Sequence, residues 1–137
     1  MIVTYDYSKA FDRLRSDLIL SRLTACNFPM KFCSWVRSYL SERRQYVRVG
    51  DFQSCAVPVT SGVPQGSVLG PYLFALTTGS FSVDEINCHL VKYADDTTIC
   101  FPIYKNSFNQ HIQREHENVL SWSSHMDLTI NEKNASL

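Results

Sequence analysis

Surplus charge of either sign is missing from this 137-residue chain, where thirteen Lys and Arg are matched by thirteen Asp and Glu. A protein that grips nucleic acid by bulk electrostatics carries an excess of basic side chains, so that class is excluded for the surface as a whole. Long apolar runs are missing too, and no basic segment followed by an apolar one opens the chain. Neither a membrane span nor a secretory leader is expected, and no membrane partner. Paired cysteine spacing is missing as well: Cys26, Cys33, Cys55, Cys88 and Cys100 are odd in number and scattered. That pattern excludes a disulfide framework and reads as reduced core residues of a soluble, intracellular chain, nuclear or cytoplasmic. His111, His116 and His125 share a polar helical stretch without i, i+4 spacing. They read as exposed helix residues, and no structural zinc is expected. Repeats and low-complexity segments are absent as well.

What remains is an ordinary globular composition, long enough for one domain around one core. The basic residues are unevenly placed: Lys31, Arg37, Arg43, Arg44 and Arg48 fall in one stretch with only Glu42 against them, which predicts a local basic face. Met1 to Asp6 is a β-branched, apolar run that reads as a strand. Leu14, Leu18, Ile19, Leu23 and Cys26 recur at helical spacing, predicting one amphipathic helix that Asp12 would cap and that ends near Asn27. Pro29 can open a second helix, with Phe32, Cys33, Val36 and Leu40 facing inward and Lys31, Arg37 and Arg43 outward. Tyr46 to Val49 and Ser54 to Thr60 read as a hairpin around Gly50-Asp51, with Pro58 confining its strand to an edge. A third helix is expected from Pro71 through Thr78, ended by Gly79. Ile86 to Tyr93 and Thr97 to Phe101 form a second hairpin connected by Ala94-Asp95-Asp96. A long helix marked by Phe108, Ile112, Val119 and Trp122 then precedes a short strand at Leu128 to Ile130. The interleaving predicts an α+β fold, an antiparallel sheet with helices packed on one face.

Two kinds of segment carry chemistry. Asp6 ends the first strand, and Asp95 and Asp96 lie at an exposed hairpin tip; carboxylates delivered from strand ends onto one sheet edge are what hard divalent cations need for nucleotidyl transfer. Ser61-Gly62-Val63-Pro64-Gln65-Gly66-Ser67 is a turn-rich loop suited to close backbone approach to a ligand.

In this order, Asp6-Tyr7-Ser8-Lys9-Ala10-Phe11-Asp12, then Ser61 through Pro71, then Tyr93-Ala94-Asp95-Asp96 resemble motifs A, B and C of reverse transcriptases, specifically those of non-LTR (LINE, jockey-like) retrotransposons. The resemblance spans nearly the whole chain and implies a polymerase palm. It implies RNA-templated DNA synthesis by two-metal nucleotidyl transfer, with RNA template, DNA primer and deoxynucleoside triphosphates as partners. By that resemblance Asp6, Asp95 and Asp96 are the catalytic carboxylates, and with the Tyr7 carbonyl they ligate two Mg²⁺ ions, for which Mn²⁺ can substitute. Phe11 matches a steric gate against a 2′-hydroxyl, while Gln65 and Gly66 would lie along the nascent base pair. A fourth motif is echoed in Leu128-Thr129-Ile130-Asn131-Glu132-Lys133, with Lys133 one position early. Residues 1–137 begin at motif A and show no counterpart of fingers or thumb, so a palm core inactive by itself is expected. The alternative is a non-catalytic remnant or co-opted interaction module; a palm-type nucleotidyl cyclase gives no reason for Gln65-Gly66.

Overall fold

The computed structural model describes residues 1–83, 88–102 and 108–131. Along the chain run β1 (Ile2–Tyr5), β2 (Tyr7–Ser8), α1 (Ala10–Arg13), α2 (Ser16–Ala25), α3 (Met30–Leu40), β3 (Arg44–Gln45), β4 (Arg48–Val49), β5 (Phe52–Gln53), β6 (Val57–Pro58), α4 (Leu69–Thr78), β7 (His89–Tyr93), β8 (Asp96–Cys100), α5 (Phe108–His125) and β9 (Thr129–Ile130). The architecture is α+β.

β1, β8 and β7 form a three-stranded antiparallel sheet with β8 in the middle. Alternation does the expected work: Val3, Tyr5, Thr97 and Ile99 are buried, whereas Ile2, Val91 and Tyr93 are exposed. One face therefore meets the core and the other meets solvent. The covered face packs on α5 and α4, through Tyr5 against His116 and through Lys92 against Trp122 and the Thr78 carbonyl. Beneath it lies the core of Leu14, Ile19, Leu23, Val36, Leu73, Phe74 and Val119.

The first helical stretch is not one helix. Lys9 takes a left-handed conformation (φ 52°) to open α1, and Leu14 and Arg15 are extended before α2 begins at Ser16. The break has a long-range cause: the amides of Gly62 and Val63 donate to the carbonyls of Leu14 and Phe11 at 2.8 Å each, so those carbonyls serve a distant loop instead of a continuing helix. Asp12 is consequently inside α1 rather than a cap. α2 ends with Asn27 left-handed (φ 57°) and the Phe28 amide bonded to the Leu23 carbonyl, a closure that asparagine tolerates. α5 ends the same way at Asp127.

α4 starts at Leu69, two residues ahead of Pro71, because the Ser67 hydroxyl accepts from the Gly70 amide; Pro71 then sits harmlessly in the first turn. The expected 46–60 hairpin is one interrupted ladder: β3 pairs with β6 and β4 with β5, and Ser54 bonds Val47 between them. Arg43 does not face outward; its guanidinium turns in to three backbone carbonyls. All five cysteines are free; Cys33 and Cys88 are half-buried against the core, whereas Cys26 and Cys55 are exposed, so the core reading fails for those two. His116 is exposed but engaged with Tyr5. The expected start of the second hairpin at Ile86, and Lys133, lie outside the described residues. No helix among the described residues is long and apolar enough to cross a membrane.

Candidate active site

β7 and β8 are joined by Ala94 and Asp95 alone, with Tyr93 opposite Asp96. Ala94 occupies the first central position with φ 52°, a conformation that costs a non-glycine residue roughly 1 kcal/mol and turns the chain within two residues. Asp96 is therefore the first residue of a strand, and its register is locked by the pairs beyond it. Tyr5 lies opposite Thr97 on β8. Asp6 follows that pair on one strand and Asp96 precedes it on the other, so residues 90 apart in sequence lie at the same end of the sheet. Thr4 and Thr98, which share a hydroxyl contact of 3.2 Å, mark the open face just behind them.

Asp6 is held from a second side. β2 pairs with β9, Tyr7 opposite Ile130, and this delivers Asn131: its amide donates to the Asp6 carbonyl at 2.8 Å and its Nδ2 to Asp6 Oδ2 at 3.1 Å. The sequence shows Asn131 only as part of an inexact motif; its role becomes visible through the pairing. Asp95 is half-buried in the turn and Asp96 exposed. By chemistry the donors suit a hard cation, three carboxylates and the Tyr7 carbonyl. Among the described residues, however, no three His, Cys, Asp or Glu side chains converge closely enough to hold one ion.

The glycine and proline loop packs against α1. Besides the two amide bonds to Phe11 and Leu14, the Ser61 hydroxyl donates to the Asp12 carbonyl at 2.9 Å and Gln65 Nε2 to Asp12 Oδ1 at 2.8 Å. Gly62 has φ +76°, and a Cβ there would fall 2.7 Å from Asp12 Cα and the carbonyls of Phe11 and Asp12. Only glycine fits. The loop is clamped from outside by Arg43, whose Nη2 donates to the carbonyls of Ser61 (2.8 Å) and Gly62 (2.7 Å) and whose Nε reaches Leu40. Phe11, half-buried, stacks on the buried Phe74 of α4 with ring centroids 4.3 Å apart. Gly66 is exposed, with φ +76° and open space around its Cα. A cleft of about 820 Å³ opens between the loop, α1 and the β3–β6 ladder, lined by Lys9, Arg43, Arg44 and Gln65 among others.

Behind the hairpin the covered face carries two shifted groups. Burial lowers the Lys92 ammonium from its ordinary 10.5 to about 8, although Phe81 and Trp122 offer it their ring faces at 5.2 and 4.8 Å. Burial, aided by Tyr7 and Glu115, pushes the Tyr5 phenol to about 12. Glu115 is fully buried on α5 and accepts from Asn118 Nδ2 at 3.2 Å. Its apolar-stripe spacing with Ile112 and Val119 is the only sequence sign of that burial.

Residues 1–135 match the family model for reverse transcriptase (RNA-dependent DNA polymerase), and the chain belongs to that family. It is 36% identical over 101 residues to the RNA-directed DNA polymerase from mobile element jockey of Drosophila melanogaster, covering 69% of this chain and 11% of that protein. A second Drosophila melanogaster relative, named Probable RNA-directed DNA polymerase from transposon BS, is 35% identical over 106 residues, covering 72% of this chain and 12% of its own length. The chain thus spans roughly a tenth of the length of these relatives. Both come from mobile elements, in agreement with a non-LTR retrotransposon fragment.

Proposed function

We propose that residues 1–137 are the palm core of an RNA-templated DNA polymerase, the segment in which a primer 3′ end is extended with deoxynucleotides. The observation that supports it most directly is the pairing of Tyr5 with Thr97, which puts the strand ends next to Asp6 and Asp96 at one edge of the sheet, together with the bond from Asn131 to Asp6. Asp6, Asp95 and Asp96, with the Tyr7 carbonyl, are the groups that would hold two divalent ions. When bound, such ions supply Lewis acidity for the attacking hydroxyl and neutralise charge on the triphosphate. The chain's own contribution is positioning. Asn131 orients the Asp6 carboxylate, and the Ala94-Asp95 turn presents Asp95 and Asp96 together at the sheet end. Phe11, backed by Phe74, cannot retreat into the core, which suits a ring that excludes a 2′-hydroxyl by bulk. Gln65 stands at the rim of the cleft, where base or sugar edges would pass, and the exposed Gly66 follows it.

A second reading, an interaction module without catalysis, draws support from the exposed Tyr46, Val47, Val49 and Phe52 of the β3–β6 ladder, an apolar patch that suits a protein partner. Mn²⁺ titration of the ¹⁵N-labelled chain separates the two. Paramagnetic broadening is expected first at Asp6, Asp95 and Asp96 and is lost in Asp96→Asn; broadening confined to other carboxylates, or none, overturns the polymerase reading. With primed RNA template, Mg²⁺ and labelled dTTP, the isolated chain is expected to add no nucleotide, because the elements that grip duplex and triphosphate are what positioning requires. Processive synthesis abolished by Asp95→Ala would refute that inactivity.

A further inference from the structure

Gln65 stands exposed at the rim of the basic cleft, yet its amide is not at liberty to turn over. Nε2 donates to Asp12 Oδ1 at 2.8 Å. An ionised carboxylate can only accept, so the amide must show Asp12 its NH₂ group; the flipped amide would set oxygen against oxygen. Oε1 is thereby left for the cleft, and among the described residues nothing donates to it. Asp12 is itself immobilised, its carbonyl accepting from Ser61 and its Cα pressed against Gly62. The rest of the lining, with Lys9, Arg43, Arg44 and Gln45, favours an anion.

We propose that Asp12 is a positioning residue that orients the Gln65 amide, so that Oε1 selects a hydrogen-bond donor on an anionic ligand entering this cleft. The donor is a sugar hydroxyl or a base N–H of nucleotide or template, and this assignment rests on the polymerase reading. It deepens that reading by giving Gln65 a polarity: Oε1 is the end turned away from Asp12, because a carboxylate in the preceding motif holds the NH₂ end. A carboxylate at residue 12 thus writes a preference at residue 65 without touching the ligand.

The first test needs no ligand. In ¹⁵N spectra the side-chain amide pair of Gln65 should stand apart from solvated glutamines, collapse onto them in Asp12→Ala and return in Asp12→Glu; an amide pair indifferent to Asp12→Ala overturns the proposal. The second test measures affinity for a fluorescent primed RNA template with dNTP and Mg²⁺. Asp12→Ala and Gln65→Leu should each weaken binding about tenfold, and the double variant no more than either. Additive losses, or an Asp12→Ala protein that binds as wild type, overturn it. Three ligand changes locate the donor: a 3′-deoxynucleotide, a DNA template in place of RNA, and hypoxanthine in place of guanine. Wild type should discriminate against one of them and Asp12→Ala against none, while equal binding of all three by wild type also overturns it. A chain that shows the amide signature but no Mn²⁺ broadening at Asp6, Asp95 and Asp96 overturns the polymerase reading and leaves the orientation of Gln65 by Asp12 standing.

Discussion

Lys92 precedes the Tyr93-Ala94-Asp95-Asp96 segment and points the other way, into the aromatic layer behind the sheet. Its ammonium, lowered by burial to about 8 from 10.5, makes stability depend on pH in a direction that can be worked out. Below pH 8 the lysine is protonated in both folded and unfolded chains, and the folded state bears the desolvation cost. As pH rises above 8 the folded chain releases its proton while the unfolded chain keeps one until about 10.5, so stability increases through this window. Between about pH 7 and pH 9.5 the full shift corresponds to a gain of about 2 kcal/mol, and screening of a half-exposed group reduces that to about 1 kcal/mol. Tyr5 works in the opposite sense, because its raised phenol keeps a proton the unfolded chain has lost, but only from about 10 to about 12. Urea denaturation from neutral pH to about 9.5 therefore isolates Lys92, with Lys92→Met as the reference that cancels every other titrating group. A methionine fills the gap between Phe81 and Trp122 with favourable sulfur-ring contacts, so the variant should fold. The midpoint difference between the two proteins should move in favour of wild type by about 0.5 M urea over that range. Parallel curves, or a wild type that loses ground as pH rises, refute the assignment of a desolvated lysine behind the hairpin.

Gly62→Ala should cost about 3 kcal/mol or more, because it combines a left-handed backbone with a Cβ 2.7 Å from three backbone atoms, and a thermal melt reads this directly. Arg43→Gln should cost about 2 kcal/mol and raise amide exchange selectively at Ser61 to Gln65, since it strips two charge-assisted bonds from the loop; uniform exchange across the chain would contradict a local clamp. Asn131→Ala should leave the β2–β9 pairing intact through the main chain yet weaken Mn²⁺ affinity at the sheet end about tenfold, seen as a shifted broadening titration with an unchanged melt.

Local patterns in the sequence were enough to locate α3, the Gly79 stop, the Asn27 stop and the carboxylate hairpin, because each depends on residues within one turn or one strand of the feature itself. The hairpin connection was misjudged by one residue. Asp96 belongs to β8, since a left-handed Ala94 completes the turn without it, and alanine gives no hint that it will adopt a conformation glycine would take more cheaply.

What stayed hidden shares one physical cause, which is a partner far away in sequence. Asp12 has the composition and place of a helix cap, but α1 opens ahead of it at Lys9, and two amides from residues 62 and 63 take the Leu14 and Phe11 carbonyls. Arg43 looks like a surface cation at a helix end, and periodicity cannot foresee that three carbonyls wait for it. Asn131 reads as a residue in an imperfect motif until β9 pairs with β2. The carboxylates themselves were legible because their residue type announces their chemistry. The residues that orient them and the cleft are amides, a guanidinium and a second-rank aspartate whose types are common on any surface. Their function lies in direction rather than identity, and direction is set only when the loop, α1 and the sheet end come together.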